Sequence, residues 1–352
     1  MQVHNFGAGP SILPREVIEQ SAAGVLNFND SGMSILEISH RSELFEKVLN
    51  EAISLVRELL NVPENYHVLF LSGGASFHFT MVPQNLMKTK AAYVESGVWA
   101  KKAIKESQLF GDTKVIASSA DKNFTYLPAI ENIPADADYL HCTSNNTIYG
   151  SQMKSFPVTT IPLVCDMSSD FLSRPVDVSQ FGMIYAGAQK NVGPSGTSIV
   201  IIRNDLLDGY KTNTPIILRY KTHVDANSLY NTPPVFAIYT CMLTLRWLKK
   251  LGGLKAMEAI NNKKAELLYN ALESNSLFNL PVAKADRSYM NVVFTIDDKE
   301  KEKAFLDFCK SKNIVGIKGH KSVGGFRASI YNALPIDSVQ FLVDVIAEFT
   351  AQ

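Results

Sequence analysis

The sequence has few cysteines, no excess of charge of either sign and no long apolar run. Its four cysteines, in a chain of 352 residues, lie far apart, which argues against a zinc site or a disulfide framework and favours a reducing, cytoplasmic environment. The 34 basic residues balance the 34 acidic ones, so we expect neither nucleic acid nor an anionic membrane as a partner. Apolar runs such as Ser198–Ile202 are too short to cross a bilayer, and we expect no signal peptide.

The composition is that of an ordinary globular protein, with 46% hydrophobic and 19% charged residues. Short β-rich runs alternate with longer helical periods, which predicts an α/β fold with a mainly parallel central sheet. The helical pattern breaks near Gly252-Gly253. We therefore predict a large domain over residues 16–254 and a smaller α+β domain over 255–352, with residues 1–15 packing on the small domain.

Several elements can be predicted along the chain. Apolar residues at helical spacing predict a helix over 42–60 with Ser42 as its N-cap. The apolar run 66–71 predicts a buried strand that leads into Gly73-Gly74 and then a helix. Strands are expected at 183–186 and 197–203, and a long helix after Pro233-Pro234.

Lys190 and Asp166 are the candidate catalytic residues. Lys190 lies in a glycine-rich loop between two predicted strands, where a lysine held on a tight turn can form a Schiff base with an aldehyde. Asp166 ends an apolar strand, at the sheet edge where α/β proteins bind ligands. Pyridoxal phosphate needs such a lysine and a carboxylate at its ring nitrogen. Taken singly, a surface lysine and a loop-capping aspartate remain the alternatives.

Other segments could bind anions or a planar ring. The strand–Gly73-Gly74–helix element is either an ordinary turn or a cradle of backbone amides for phosphate, although it is not a P-loop. His40 and Arg41 precede a helix, and the glycine-rich segment 319–327 carries three basic residues; both are either anion sites or solvated charged loops. Trp99 could stack on a ring or belong to the core.

Motifs over nearly the whole chain resemble the class V branch of the fold-type I pyridoxal-phosphate enzymes, and within it the phosphoserine aminotransferase family. The most specific are Ala-Gly-Ala-Gln-Lys-Asn at 186–191 and Asn-Thr-Pro-Pro at 231–234. The segments that carry the resemblance are Asn5–Pro10, Glu37–Arg41, Tyr185–Asn191 with Gly193-Pro194, Tyr230–Pro234 and Gly324–Asn332.

The resemblance implies pyridoxal phosphate as cofactor and a role for each matching residue. Lys190 would bind the cofactor covalently and move a proton, while Asp166 would pair with the ring nitrogen and Trp99 would stack on the ring. Thr147 would bond near the phenolic oxygen. The cofactor phosphate would be held by Ala75, Ser76 and Gln189, and by Asn231 and Thr232 from a second subunit, which implies a homodimer.

The implied reaction transfers the amino group of glutamate to 3-phosphohydroxypyruvate, giving phosphoserine and 2-oxoglutarate, with 4-phosphohydroxythreonine of pyridoxine biosynthesis as a further product. Arg327 would bind the α-carboxylate. The distal carboxylate or phosphate would be bound by Arg41, His40, His320 and Lys321. The chain departs from the family pattern at Ala8, Ser76 and Lys321, where serine, arginine and arginine occur in other members.

Three alternatives remain. Alanine–glyoxylate transamination has no use for a distal basic cluster. Cysteine desulfuration needs a mobile nucleophilic cysteine, whereas Cys309 lies in a predicted helix among apolar residues. A catalytically silent binder of the same fold would not need both Lys190 and Asp166.

Overall fold

The computed structural model describes residues 2–351. Nine α-helices within this range alternate with strands and cover the sheets. They are α1 (Arg15–Leu26), α2 (Glu43–Leu60), α3 (Ser76–Leu86), α4 (Val98–Ser107), α5 (Tyr220–Asp225), α6 (Val235–Lys250), α7 (Gly253–Glu273), α8 (Lys299–Ser311) and α9 (Ile336–Thr350).

The strands form one large sheet and three two-stranded sheets. They are β1 (His4–Asn5), β2 (Tyr66–Ser72), β3 (Lys90–Glu95), β4 (Asp112–Ser118), β5 (Leu140–Thr143), β6 (Asn145–Asn146), β7 (Ser151–Gln152), β8 (Leu163–Asp166), β9 (Met183–Gly187), β10 (Thr197–Arg203), β11 (Asn291–Phe294), β12 (Ile314–Val315) and β13 (Phe326–Ser329). The small sheets pair β1 with β12, β11 with β13, and β6 with β7.

The large sheet has seven strands in the order β2-β10-β9-β8-β5-β3-β4. Strand β10 is antiparallel to both of its neighbours, and the other pairs are parallel. The predicted mainly parallel sheet is therefore confirmed. Because β2 also runs with the parallel strands, the carboxyl ends of β2, β3, β5, β8 and β9 meet at one edge. At that edge lie the Gly73-Gly74 turn, Asp166 and the loop that carries Lys190.

The predicted helices form with small shifts at their ends. Ser42 caps α2, since its hydroxyl oxygen accepts a hydrogen bond from the Phe45 amide at 3.4 Å. Helix α6 begins directly after Pro234, as the two prolines predict. Helix α3 continues for three residues beyond Pro83, at its C-terminal end.

Three large apolar clusters lie in the described part of the chain. The first joins the central sheet to α2 and α6, the second is built mainly from residue 265 onward, and the third joins the sheet to α3 and α4. Phe6 belongs to the second cluster, and the parallel pairing of β1 with β12 attaches the N-terminal segment beside it. The predicted boundary between residues 254 and 255 falls within the first turn of α7, and Met257 beyond it still packs in the first cluster, so the domain boundaries stay a prediction. Over residues 2–351, no helix is both long and apolar enough to span a membrane.

Candidate active site

A cavity of about 230 Å³ opens at the carboxyl edge of the large sheet. Seven of the nine residues predicted to bind the cofactor line it, and Asn231 and Thr232 do not. The lining residues are Gly9, Gly74, Ala75, Ser76, Phe79, Trp99, Thr143, Asn145, Thr147, Asp166, Ser168, Ser169, Gln189 and Lys190. The fold thus brings together residues that are more than 100 positions apart in the sequence.

The Lys190 side chain reaches from the loop after β9 toward the N-terminal segment. Its amine donates a hydrogen bond to the Ala8 carbonyl oxygen and lies 3.3 Å from the Tyr331 hydroxyl. The Ser11 amide donates to the Gln189 carbonyl oxygen at 2.9 Å, which ties the same two segments through their backbones. The Lys190 amine is therefore held at the cavity wall rather than extended into solvent.

Asp166 is buried, with 5% of its surface exposed. Burial raises the pKa of its carboxyl group to about 6, although hydrogen bonds from Ser168 oppose the shift. The Ser168 amide and hydroxyl both donate to Oδ1, at 2.9 and 2.6 Å, and no residue within 2–351 donates to Oδ2. The second oxygen is thus available to the protonated nitrogen of a heterocyclic ring.

The turn between β2 and α3 can bind an anionic group. Gly73 has φ +98°, a conformation that favours glycine, and a Cβ there would lie 2.6 Å from the Phe77 ring. Gly74, Ala75 and Ser76 then line the cavity at the start of α3, whose first turn has no acidic residue. Free amides and the helix dipole favour a phosphate at this position.

The predicted α-carboxylate residue, Arg327, lies next to the cavity. Its Nη1 donates to the carbonyl oxygen of Thr147 at 3.2 Å, and its buried Nε has no partner among the described residues. Burial lowers the pKa of Arg327. The pKa of His320 is lowered by its partial burial and by the charges of Arg327, Lys321 and Lys102.

Other predicted residues are not brought to the cavity by this chain alone. His40 is half-buried and Arg41 is exposed, and neither lines the cavity. The Asn231 amide bonds only locally, to the Thr232 carbonyl oxygen at 3.4 Å. The roles of these four residues remain predictions, and those of Asn231 and Thr232 require a second subunit.

Sequence reasoning missed several lining residues. Thr143 is paired with Asp166 across β5 and β8, a register that no local pattern reveals. Ser168 and Ser169 follow Asp166 directly, so their place at a strand end is a usable signal. Tyr331 does not line the cavity but contacts the Lys190 amine; it lies in a family motif, and no local pattern assigns it a role. No group of three or more potential metal-ligating His, Cys, Asp or Glu residues occurs in the described part of the chain.

Comparison with known proteins identifies the family. The model of the family "Aminotransferase class-V" matches residues 3–342. A phosphoserine aminotransferase from Flavobacterium johnsoniae is 55% identical over 98% of each chain. The chain belongs to the phosphoserine aminotransferase family.

Solved structures of phosphoserine aminotransferases have the same fold. The enzyme from Bacillus circulans subsp. alkalophilus is 47% identical, with 99% of each chain covered and a TM-score of 0.97. A phosphoserine aminotransferase from Trichomonas vaginalis, described as PLP-bound, is 40% identical, with 98% of this chain and 100% of that chain covered and a TM-score of 0.94. Both the predicted fold class and the family resemblance are therefore confirmed.

Proposed function

We propose that this aminotransferase uses pyridoxal phosphate to transfer the amino group of glutamate to 3-phosphohydroxypyruvate, forming O-phosphoserine and 2-oxoglutarate. The observation that carries the proposal is that the Lys190 amine and the buried Asp166 carboxyl group line one cavity. The turn at the start of α3 lines the same cavity and provides the amides that a phosphate needs.

The residues present fit this cofactor. Ala75, Ser76 and Gln189 would hold its phosphate, Trp99 would stack on its ring, and Thr147 would bond near its phenolic oxygen. When bound, the cofactor supplies an electron-accepting ring that stabilises negative charge at the substrate's α-carbon. Oδ2 of Asp166 would keep the ring nitrogen protonated, because a buried carboxylate gains most from sharing a proton with an adjacent base.

Lys190 has two tasks in this reaction. It would hold the cofactor covalently, and as a free amine it would carry a proton to and from the α-carbon of the substrate. The Ala8 carbonyl and the Tyr331 hydroxyl, which contact the amine, keep it at the cavity wall during that step.

Both proposed substrates carry an α-carboxylate and a second anion at the far end. The unpaired Nε of Arg327 supports its assignment to the α-carboxylate, since guanidinium groups bind carboxylates strongly. His320 and Lys321, together with His40 and Arg41, would bind the distal carboxylate or phosphate. We further propose that 4-phosphohydroxythreonine, which has the same two anionic ends, is a second product.

The proposed active enzyme is a homodimer. Asn231 and Thr232 belong to one of the two most specific motifs of the resemblance, yet they do not line the cavity of their own chain. Their polar groups have only local contacts, so they are available to the cofactor phosphate of a second copy.

The alternative of cysteine desulfuration lacks a suitable nucleophile. Cys309 is buried in α8, and burial raises the pKa of its thiol to about 12. Cys142, Cys165 and Cys241 are buried as well. An enclosed thiol is a poor nucleophile, so the described cysteines do not favour this reaction.

An assay of the purified protein with glutamate and 3-phosphohydroxypyruvate tests the proposal. We expect turnover in the unaltered enzyme, loss of turnover in Lys190→Ala with the fold retained, and unchanged turnover in Lys299→Ala, a control at an exposed lysine. Undiminished activity of Lys190→Ala would refute the assignment. Replacing the keto acid by the one that yields 4-phosphohydroxythreonine, in the same assay, tests the second product.

A further inference from the structure

Lys264 on α7 is a fully buried lysine, with none of its surface exposed. No acidic side chain in residues 2–351 forms an ion pair with it; instead its amine contacts backbone carbonyl oxygens of one short segment. The distances are 2.9 Å to Ile330, 2.7 Å to Tyr331, 3.2 Å to Leu334 and 3.5 Å to Asn332. Burying an ammonium group without a carboxylate partner costs free energy of folding, so stability alone would favour an apolar residue here. The contacts of Lys264 therefore indicate a role other than stabilising the fold.

The segment that Lys264 binds carries Tyr331, whose side chain enters the active site. The Tyr331 hydroxyl lies 3.3 Å from the Lys190 amine and donates to the Ala8 carbonyl oxygen at 2.9 Å. The Asn291 amide donates to the same hydroxyl at 3.1 Å. Tyr331 is 1% exposed, so its hydroxyl position is set by these neighbours and by the backbone on which it stands.

The adjoining residue is held in the same way. The Asn332 amide nitrogen donates to Asn191 Oδ1 at 3.0 Å, and the Asn332 side chain donates to the Leu172 carbonyl oxygen at 2.8 Å. Asn191 directly follows Lys190. The segment 330–334 is thus joined both to the loop that carries the reactive lysine and, through Lys264, to the small-domain helix α7.

We propose that Lys264 is a positioning residue for catalysis. By binding carbonyl oxygens in the segment 330–334, Lys264 holds the Tyr331 hydroxyl in place. This hydroxyl and the Ala8 carbonyl then bind the Lys190 amine whenever the amine is not bonded to the cofactor. The inference rests on the proposed function, because only an enzyme that releases and recaptures this amine needs a defined place for it. Binding at this place keeps the Lys190 amine within reach of the cofactor aldehyde.

The test measures how fast the apoprotein recaptures pyridoxal phosphate. The absorbance of the lysine-bound cofactor is followed after mixing, for the unaltered protein, Tyr331→Phe, Lys264→Met and the double variant. We expect each single variant to react about tenfold more slowly, the effect of losing one hydrogen bond to a charged group. The double variant should be no slower than the slower single variant, because both changes act through the same hydroxyl.

Controls separate this inference from the proposed function and from general destabilisation. Lys263→Met changes the exposed neighbour of Lys264 on the same helix and should react at the unaltered rate. If the unaltered protein itself forms no lysine-bound cofactor, the proposed function fails. If it does, and folded Lys264→Met or Tyr331→Phe reacts equally fast, the inference is wrong. Additive effects in the double variant would also overturn it.

Lys264→Gln keeps a side-chain donor and takes over the test if Lys264→Met does not fold. The rate at which Lys264→Gln reacts with pyridoxal phosphate should lie between the rates of the unaltered protein and of Tyr331→Phe. A Lys264→Gln rate equal to the unaltered one, or an unaltered rate for Tyr331→Phe, would contradict the proposed role.

Discussion

Replacing Gly9 by alanine should displace the Lys190 side chain. Gly9 has φ +140°, and a Cβ at this position would lie 3.0 Å from Cδ, Cε and Nζ of Lys190. Ordinary carbon–carbon contacts are about 3.5–4.0 Å, so either the lysine side chain or the N-terminal segment must move. Because the lysine is the more flexible of the two, we expect its amine to leave the Ala8 carbonyl.

The substitution carries two costs that can be separated. The positive φ contributes about 1–3 kcal/mol of backbone strain, which for a chain of this size corresponds to a fall of roughly 1.5–4 °C in Tm. The contact with Lys190 adds an effect on cofactor capture. Gly32→Ala is the matched control, since Gly32 also has a positive φ, of +75°, but a Cβ added there would meet no atom within 4 Å.

The assay combines thermal unfolding of the apoprotein with its rate of reaction with pyridoxal phosphate. We expect both alanine variants to lose stability, whereas only Gly9→Ala should capture the cofactor more slowly. If Gly9→Ala and the unaltered protein react with pyridoxal phosphate at equal rates, Gly9 does not make room for the Lys190 side chain.

The remaining predictions concern charge. Burial raises the pKa of Asp166 from 3.8 to about 6, so the folded apoprotein binds this proton more tightly than the unfolded chain does. The free energy of unfolding of Asp166→Asn should therefore exceed that of the unaltered apoprotein above pH 6, by up to about 3 kcal/mol. This difference should vanish near pH 4, and a difference that grows on acidification would contradict the prediction. Burial lowers the pKa of Lys264 from 10.5 to about 7, so relative to Lys264→Met the unaltered protein should gain stability as the pH rises from 7 to 10.5, measured by Tm. Arg41→Ala should impair both half-reactions in stopped-flow assays, and an effect on only one would mean that the distal anions do not share a site.

Much of the fold could be predicted because local patterns determine it. The apolar run that ends at Asp166 indicates a buried strand with a polar carboxyl end, and the paired prolines before α6 mark its first turn. The antiparallel direction of β10 could not be predicted, because a buried apolar strand has the same pattern in either direction. The sheet order likewise depends on contacts between segments far apart in the chain.

In the candidate site, too, only residues with a local sequence pattern could be predicted. Lys190 and Asp166 could be found because each has a local signal, a glycine-rich loop and a strand end. Tyr331 could not, because its hydroxyl meets Lys190 only through folding across 141 positions of sequence. Lys264 gave no sequence signal either, since a lysine on a helix is ordinarily exposed and only the structure reveals its burial.

We expect the Lys190 amine to hold the cofactor in a cavity where Asp166 faces the ring nitrogen. Borohydride reduction of the cofactor-loaded protein, followed by peptide mass spectrometry, tests this attachment. The visible absorbance should be lost, and a single pyridoxyl-phosphate label should be found on Lys190. Retention of the label in Lys190→Ala, or a label on another lysine in the unaltered protein, would contradict it.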